Sequence, residues 1–90
     1  MWEIVYSTRF KKDLKRYKNP PERISALKTV LKQLQEKGNV DAMYKPHMLT
    51  GDYTDCMECH ILNDFLLIWI DASAHQIKLV RLGSHSDLFK

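Results

Sequence analysis

The sequence predicts an α+β domain ordered β-α-α-β-β-β-β, with a mainly antiparallel sheet and a helical hairpin packed on one face. Three observations carry that reading. An aromatic and β-branched opening precedes a segment whose apolar residues recur at helical intervals. The second half is a series of short apolar runs divided by turn-forming residues. With 90 residues the chain has room for a single domain, 1–90, and one modest core.

The elements follow in order. Trp2-Glu3-Ile4-Val5-Tyr6 reads as the first strand. Ser7 or Thr8 caps a helix whose inner positions are Phe10, Leu14 and Tyr17. Asn19-Pro20-Pro21 ends it and starts the next, with Asn19 as cap and Pro20 in the first turn. Ile24, Leu27, Val30, Leu31 and Leu34 form the second helix's core stripe, and Gly38 stops it. Residues 40–48 connect to a short strand over Met48–Tyr53, interrupted by Gly51. Cys56–Leu62 and Phe65–Ile70 are strands joined by the Asn63-Asp64 turn. Asp71–His75 turns into the last strand, Gln76–Leu82, which Gly83 breaks before a tail at Ser86–Phe89. Phe65–Ile70 is apolar on both faces, as expected of a central strand. Its second face needs a cover, either the connector and tail or a partner.

Charge divides unevenly. Residues 1–45 carry eleven Lys and Arg against five acids, and residues 46–90 carry three against six. The basic half suits a polyanion or an acidic protein partner; a solvated helix face is the plainer alternative. No apolar run is long enough to span a membrane, and the start does not read as a signal peptide. A cytoplasmic location is the expectation. Cys56-Met57-Glu58-Cys59-His60 satisfies the pattern for covalent haem attachment. On a strand, however, Cys56 and Cys59 point to opposite faces, which disfavours haem, a shared metal or a disulfide. No metal or cofactor is expected, and both cysteines read as small apolar filler.

Histidines carry the chemistry. His47 opens the phrase His47-Met48-Leu49-Thr50-Gly51, His60 shares a strand face with Glu58, and His85 follows Gly83 near the end. His75 lies in a turn and reads as structural or exposed. Arg81 sits inside an apolar strand, where a guanidinium needs a partner or a ligand. RNA brings its own nucleophile, the 2′-hydroxyl. Cleaving it takes a base, an acid and positive charge on the phosphorane, and imidazoles with an arginine meet those needs without metal.

These phrases resemble the YafQ-type toxins of the RelE superfamily, the ribonuclease half of bacterial type II toxin–antitoxin pairs. The resemblance spans the chain. It is sharpest at residues 47–51, at Glu58-Cys59-His60-Ile61 with Asn63–Trp69, and at Arg81–Phe89. It implies a RelE-like, microbial-RNase-like fold and cleavage of mRNA on the ribosome. It also implies a DinJ-like antitoxin as partner, with operator DNA met only through that antitoxin. By the same resemblance His47, His60, Asp64 and His85 serve proton transfer and its support. Arg81 meets the phosphate, and Phe89 helps to hold substrate. Phe65, which replaces a more frequent tryptophan, keeps a ring for stacking. Lys11, Lys12 and Lys15 of the basic helices are expected to bind mRNA or rRNA phosphates. Met57 stands where many relatives carry a basic residue. That favours the alternative of a non-catalytic RNA- or protein-binding module.

Overall fold

The computed structural model describes residues 1–89. Its strands are β1 (Glu3–Tyr6), β2 (His47–Met48), β3 (Met57–Leu62), β4 (Phe65–Ser73) and β5 (Gln76–Gly83). Its helices are α1 (Thr8–Arg16), α2 (Pro21–Lys37) and the one-turn α3 (His85–Leu88). The strands form one sheet in the order β1-β5-β4-β3-β2. Only β1 and β5 run parallel, from Glu3↔Gln76 to Tyr6↔Leu79.

Local chemistry explains the helix ends. The Ser7 hydroxyl accepts the Phe10 N–H at 3.0 Å and so caps α1. Pro21, not Pro20, takes the first position of α2, because a residue before proline is pushed to extended backbone and Pro20 adopts ψ 160°. Gly38 ends α2 with φ 71°. A β-carbon there would meet the Trp2 ring at 2.6 Å, so both the backbone angle and the close approach require glycine.

α1 lies along β5, while α2 packs over β1 and β3. Phe10, Leu27, Val30 and Leu34 meet Cys59, Phe65, Leu67, Trp69, Ile77, Leu79 and Leu82 in the helix-side core. The opposite sheet face holds a second, smaller core of Cys56, Leu66, Ile68 and Leu88. Leu49, Tyr53 and Phe89 pack against it, so the tail and the segment after β2, rather than the 40–48 connector, provide the cover. Cys56 and Cys59 lie in different cores, as their spacing predicts.

Three further element boundaries differ from the expectation. The second expected strand, Met48–Tyr53, shortens to His47–Met48, and Gly51–Tyr53 becomes a 3₁₀ turn. Gly51, at φ 73°, bends the chain and leads Tyr53 onto the second core. β4 continues through Asp71 to Ser73, since exposed polar residues still pair with β5. The tail forms α3, capped by the Ser84 hydroxyl, which accepts the Asp87 N–H.

The place where β1 ends shapes the rest. Past Leu79 the edge of β5 is completed by side chains at and beyond the start of α1. The Ser7 hydroxyl donates to the Val80 carbonyl at 3.0 Å. Asp13 accepts the Leu82 N–H at 3.0 Å, and Tyr17 accepts the Ser84 N–H at 3.2 Å.

Candidate active site

On the face opposite the helices, register alone brings distant residues into line. His47 pairs with Glu58, Glu58 with Ile68, and Ile68 with Arg81. The neighbouring row runs His60, Leu66, Gly83. With strands about 4.8 Å apart, His60 lies roughly 10 Å from Gly83 across the sheet. His85 follows two residues later.

Glu58 organises the first pair of imidazoles. His47 Nε2 is 3.1 Å and His60 Nε2 3.7 Å from the same Glu58 Oε1, and the rings are 6.1 Å apart. The carboxylate is buried at 4% exposure, while both imidazoles reach solvent. Glu58 Oε2 is the buried side-chain oxygen that lacks a hydrogen-bond partner among the described residues. Buried carboxylate oxygens are usually hydrogen-bonded, so Oε2 is a free acceptor aimed into the site. The Lys45 carbonyl lies 2.9 Å from His47 Nδ1 and fixes the ring from its other side.

The second group gathers at the chain's end. Asp64, at the αL position of the β3–β4 turn, accepts the backbone N–H of His85 at 2.8 Å. The His85 ring lies 4.9 Å from Phe89, and Phe89 meets Tyr53 edge-on at 5.6 Å. Tyr53 donates to the Leu88 carbonyl and accepts from Arg81 at 3.2 Å. Arg81 also donates from Nε to Asp13 at 2.7 Å and from a second nitrogen at 3.2 Å. The Asp13 hydrogen bond raises the Arg81 pKa above its ordinary value, with burial working against it. The guanidinium is thus held, with its charge matched by Asp13, on the sheet face that carries the histidines. Beside it is a cleft of about 430 Å³ whose lining includes Arg9, Tyr53, Arg81 and Asp87.

The remaining expected residues divide. Phe65 is corrected: at 2% exposure it belongs to the helix-side core, against Tyr17 at 5.8 Å, and offers no surface for stacking. Lys15 lines the cleft between α1 and α2 rather than the histidine face. On the helical wheel Lys11 lies with it, whereas Arg9, Lys12 and Arg16 flank the Asp13 side. Arg16 pairs with Asp87 at 3.5 Å. Met57 packs against the helix-side core, so a basic residue there would not share a face with the imidazoles. His75 stacks edge-on against Trp2 at 5.8 Å. Glu58, Tyr53, Asp13 and Arg9 are the site residues that sequence reasoning passed over. Only Glu58 had a signal, its shared strand face with His60.

Residues 2–90 match the family described as bacterial toxin of type II toxin–antitoxin system, YafQ. The chain belongs to the YafQ family. It is similar to a metal-bound toxin from Helicobacter pylori at 37% identity and TM-score 0.85, covering 99% of this chain and 100% of that one. YafQ from E. coli strain BL21(DE3) is 25% identical over the whole of both chains, with TM-score 0.87. YafQ-family architecture also recurs in the E. coli DinJ–YafQ toxin–antitoxin complex, at 27% identity and TM-score 0.84, covering 99% of this chain and 98% of that one. Among curated protein sequences none matches. The chain is thus a toxin of the type II toxin–antitoxin class. In this YafQ-family chain, no group of three His, Cys, Asp or Glu among the described residues is placed to hold a metal ion. No described helix is long and apolar enough to cross a membrane.

Proposed function

We infer that this toxin is a metal-independent endoribonuclease that cleaves mRNA on the bacterial ribosome and so stops translation. The observation that carries the reading is the single sheet face on which His47, Glu58, His60, Arg81 and the His85 loop converge. In the reaction one imidazole removes the 2′-hydroxyl proton and the 2′-oxygen attacks phosphorus. The 5′-oxygen departs with a proton from a second imidazole, leaving a 2′,3′-cyclic phosphate. His85 acts on the reacting phosphate. The Glu58-held pair, His47 and His60, supplies the other proton transfer. Asp64 sets the His85 backbone, Arg81 balances the phosphorane charge and Phe89 holds the nucleotide.

A DinJ-like antitoxin is the partner. The support is an apolar cleft of about 550 Å³ between α1 and α2, floored by Phe10, Leu14 and Leu27 and rimmed by Lys15, Lys18 and Lys28. An acidic amphipathic helix fits both its floor and its rim. Arg9 and Lys12, on the other flank of α1, remain for RNA phosphates. The setting is the bacterial cytoplasm, where translating ribosomes are found.

A primer-extension map of mRNA from translation reactions with and without ribosomes tests the function. Ribosome-dependent cuts, abolished in His85→Ala, are expected. Uncut mRNA with steeply salt-dependent binding would instead establish the non-catalytic module.

A further inference from the structure

A cleft adjoins the imidazoles where β2 stops. β2 pairs with β3 only at His47↔Glu58 and Met48↔Met57, so among the described residues the outer edge of β3 from His60 to Leu62 carries no strand. The preceding chain turns aside there, through the 3₁₀ turn Ala42–Tyr44 and through Lys45 at φ 53°. Between them opens a space of about 280 Å³. Met43, Tyr44 and Lys45 wall one side; His60, Leu62 and Asn63 wall the other.

Tyr44 rests partly on the helix-side core, but Met43 and Leu62 join neither core among the described residues. Met43 is 74% exposed and Leu62 41%, two of the few large apolar side chains left in solvent. Around them stand a half-buried tyrosine ring, an exposed amide, an ammonium and an open strand edge. A single-stranded base needs such a set: apolar and aromatic faces to stack on, donors and acceptors for its edge, and a cation for its phosphate. An apolar peptide side chain would leave the exposed amide and the cation unmatched. His60 belongs both to this cleft and to the Glu58-held pair. The turn that walls the cleft also orients His47, through the Lys45 carbonyl.

We propose that this cleft is a base-reading subsite for the nucleotide adjoining the cut, stacking its base on Tyr44 and Leu62 and meeting its edge with Asn63. Lys45 holds the attached phosphate. The subsite rests on the ribonuclease reading and adds to it a source of sequence preference at one position.

Cleavage of a set of mRNAs randomised around one cut, in translating ribosomes, tests it with Asn63→Ala, Tyr44→Leu and Met43→Ala. Met43→Ala, at an exposed side chain, guards against loss of folding, and thermal unfolding of each variant is measured alongside. Asn63→Ala is expected to relax the preference at the adjoining base by about 3- to 10-fold, the worth of one hydrogen bond. Tyr44→Leu is expected to raise KM roughly tenfold, within the range of a lost base stack, with a much smaller fall in kcat. If the wild-type chain cuts RNA and all three variants keep its pattern and KM, the subsite alone is overturned. The same follows if the variants lose kcat equally on every sequence. A wild-type chain that cuts no RNA overturns the ribonuclease reading and the subsite with it.

Discussion

Asp13 and Arg81, 68 residues apart, form a two-pronged ion pair at 2.7 and 3.2 Å, and the same carboxylate accepts the backbone N–H of Leu82. Asp13 is 6% and Arg81 9% exposed. One residue of α1 thus finishes the edge of β5 and aims the guanidinium at the histidine face. Asp13→Ala is expected to destabilise the fold by about 3–5 kcal/mol, because it strands a buried cation and a backbone donor. Urea unfolding measures this. Arg81→Lys keeps the charge but not the planar fork, so it should lose stability and catalysis together. A loss below about 1 kcal/mol for Asp13→Ala would show that the pair is solvated.

Asp64 offers a sharper test of role. Its Oδ1 accepts the His85 N–H at 2.8 Å. Asn retains that acceptor and cannot transfer a proton as a carboxylate does. Asp64→Asn is expected to keep cleavage within a few-fold of wild type, while Asp64→Ala loses about tenfold or more by freeing the His85 loop. Equal, severe losses in both would make Asp64 a proton-transfer group instead.

Much of this arrangement was legible from local pattern. Phe10, Leu14 and Tyr17 stand at helical spacing because one stripe faces the sheet. Phe65 and Leu66 alternate toward two cores because β4 is covered on both sides. The opposite faces of Cys56 and Cys59 follow from strand period alone. What stayed hidden depends on register and seating. Nothing near Arg81 in sequence names Asp13 as its partner. The wheel of α1 separates Arg9 from Lys15, yet which flank meets the site is decided by where β1 ends. Phe65 shows the reverse error: its ring was read by likeness, whereas parity along β4 already placed it with Leu67 and Trp69.

Glu58→Gln probes the shared carboxylate. His47 and His60 both approach its Oε1, at 3.1 and 3.7 Å. Glutamine can still orient one ring but holds two imidazoles less firmly. Cleavage is expected to fall by about 10²-fold, in the range of a lost acid–base contribution, with the fold retained in circular dichroism. Unchanged cleavage would remove Glu58 from the site.

Burial pushes the Cys59 thiol up to about 12, with the Glu58 charge adding to it. The unfolded thiol titrates near its ordinary value, so between about pH 9 and pH 12 only the unfolded state loses the proton. Stability from this group is complete below pH 9 and is lost as pH rises through that window. The slope is at most about 1.4 kcal/mol per pH unit. Urea midpoints at pH 8 and pH 10 should differ in wild type and differ less in Cys59→Ala. Native protein should also resist thiol alkylation at pH 8.5 and react once unfolded. Rapid native labelling of Cys59 would contradict the burial.

Charge reversal separates antitoxin binding from RNA cleavage. Lys15, Lys18 and Lys28 rim the apolar cleft between α1 and α2, on the layer away from the imidazoles. Lys15→Glu with Lys28→Glu should weaken binding of an acidic DinJ-like antitoxin by about 10²-fold at low salt, with a smaller effect as salt screens the rim. The apolar floor is untouched, so binding should persist in part. Toxicity should remain, and co-expressed antitoxin should rescue growth less well. Arg9→Glu with Lys12→Glu, on the opposite flank of α1, should do the reverse, lowering cleavage while leaving the antitoxin complex intact. If both pairs weaken the same process, the two flanks of α1 serve a single partner and the division argued here fails.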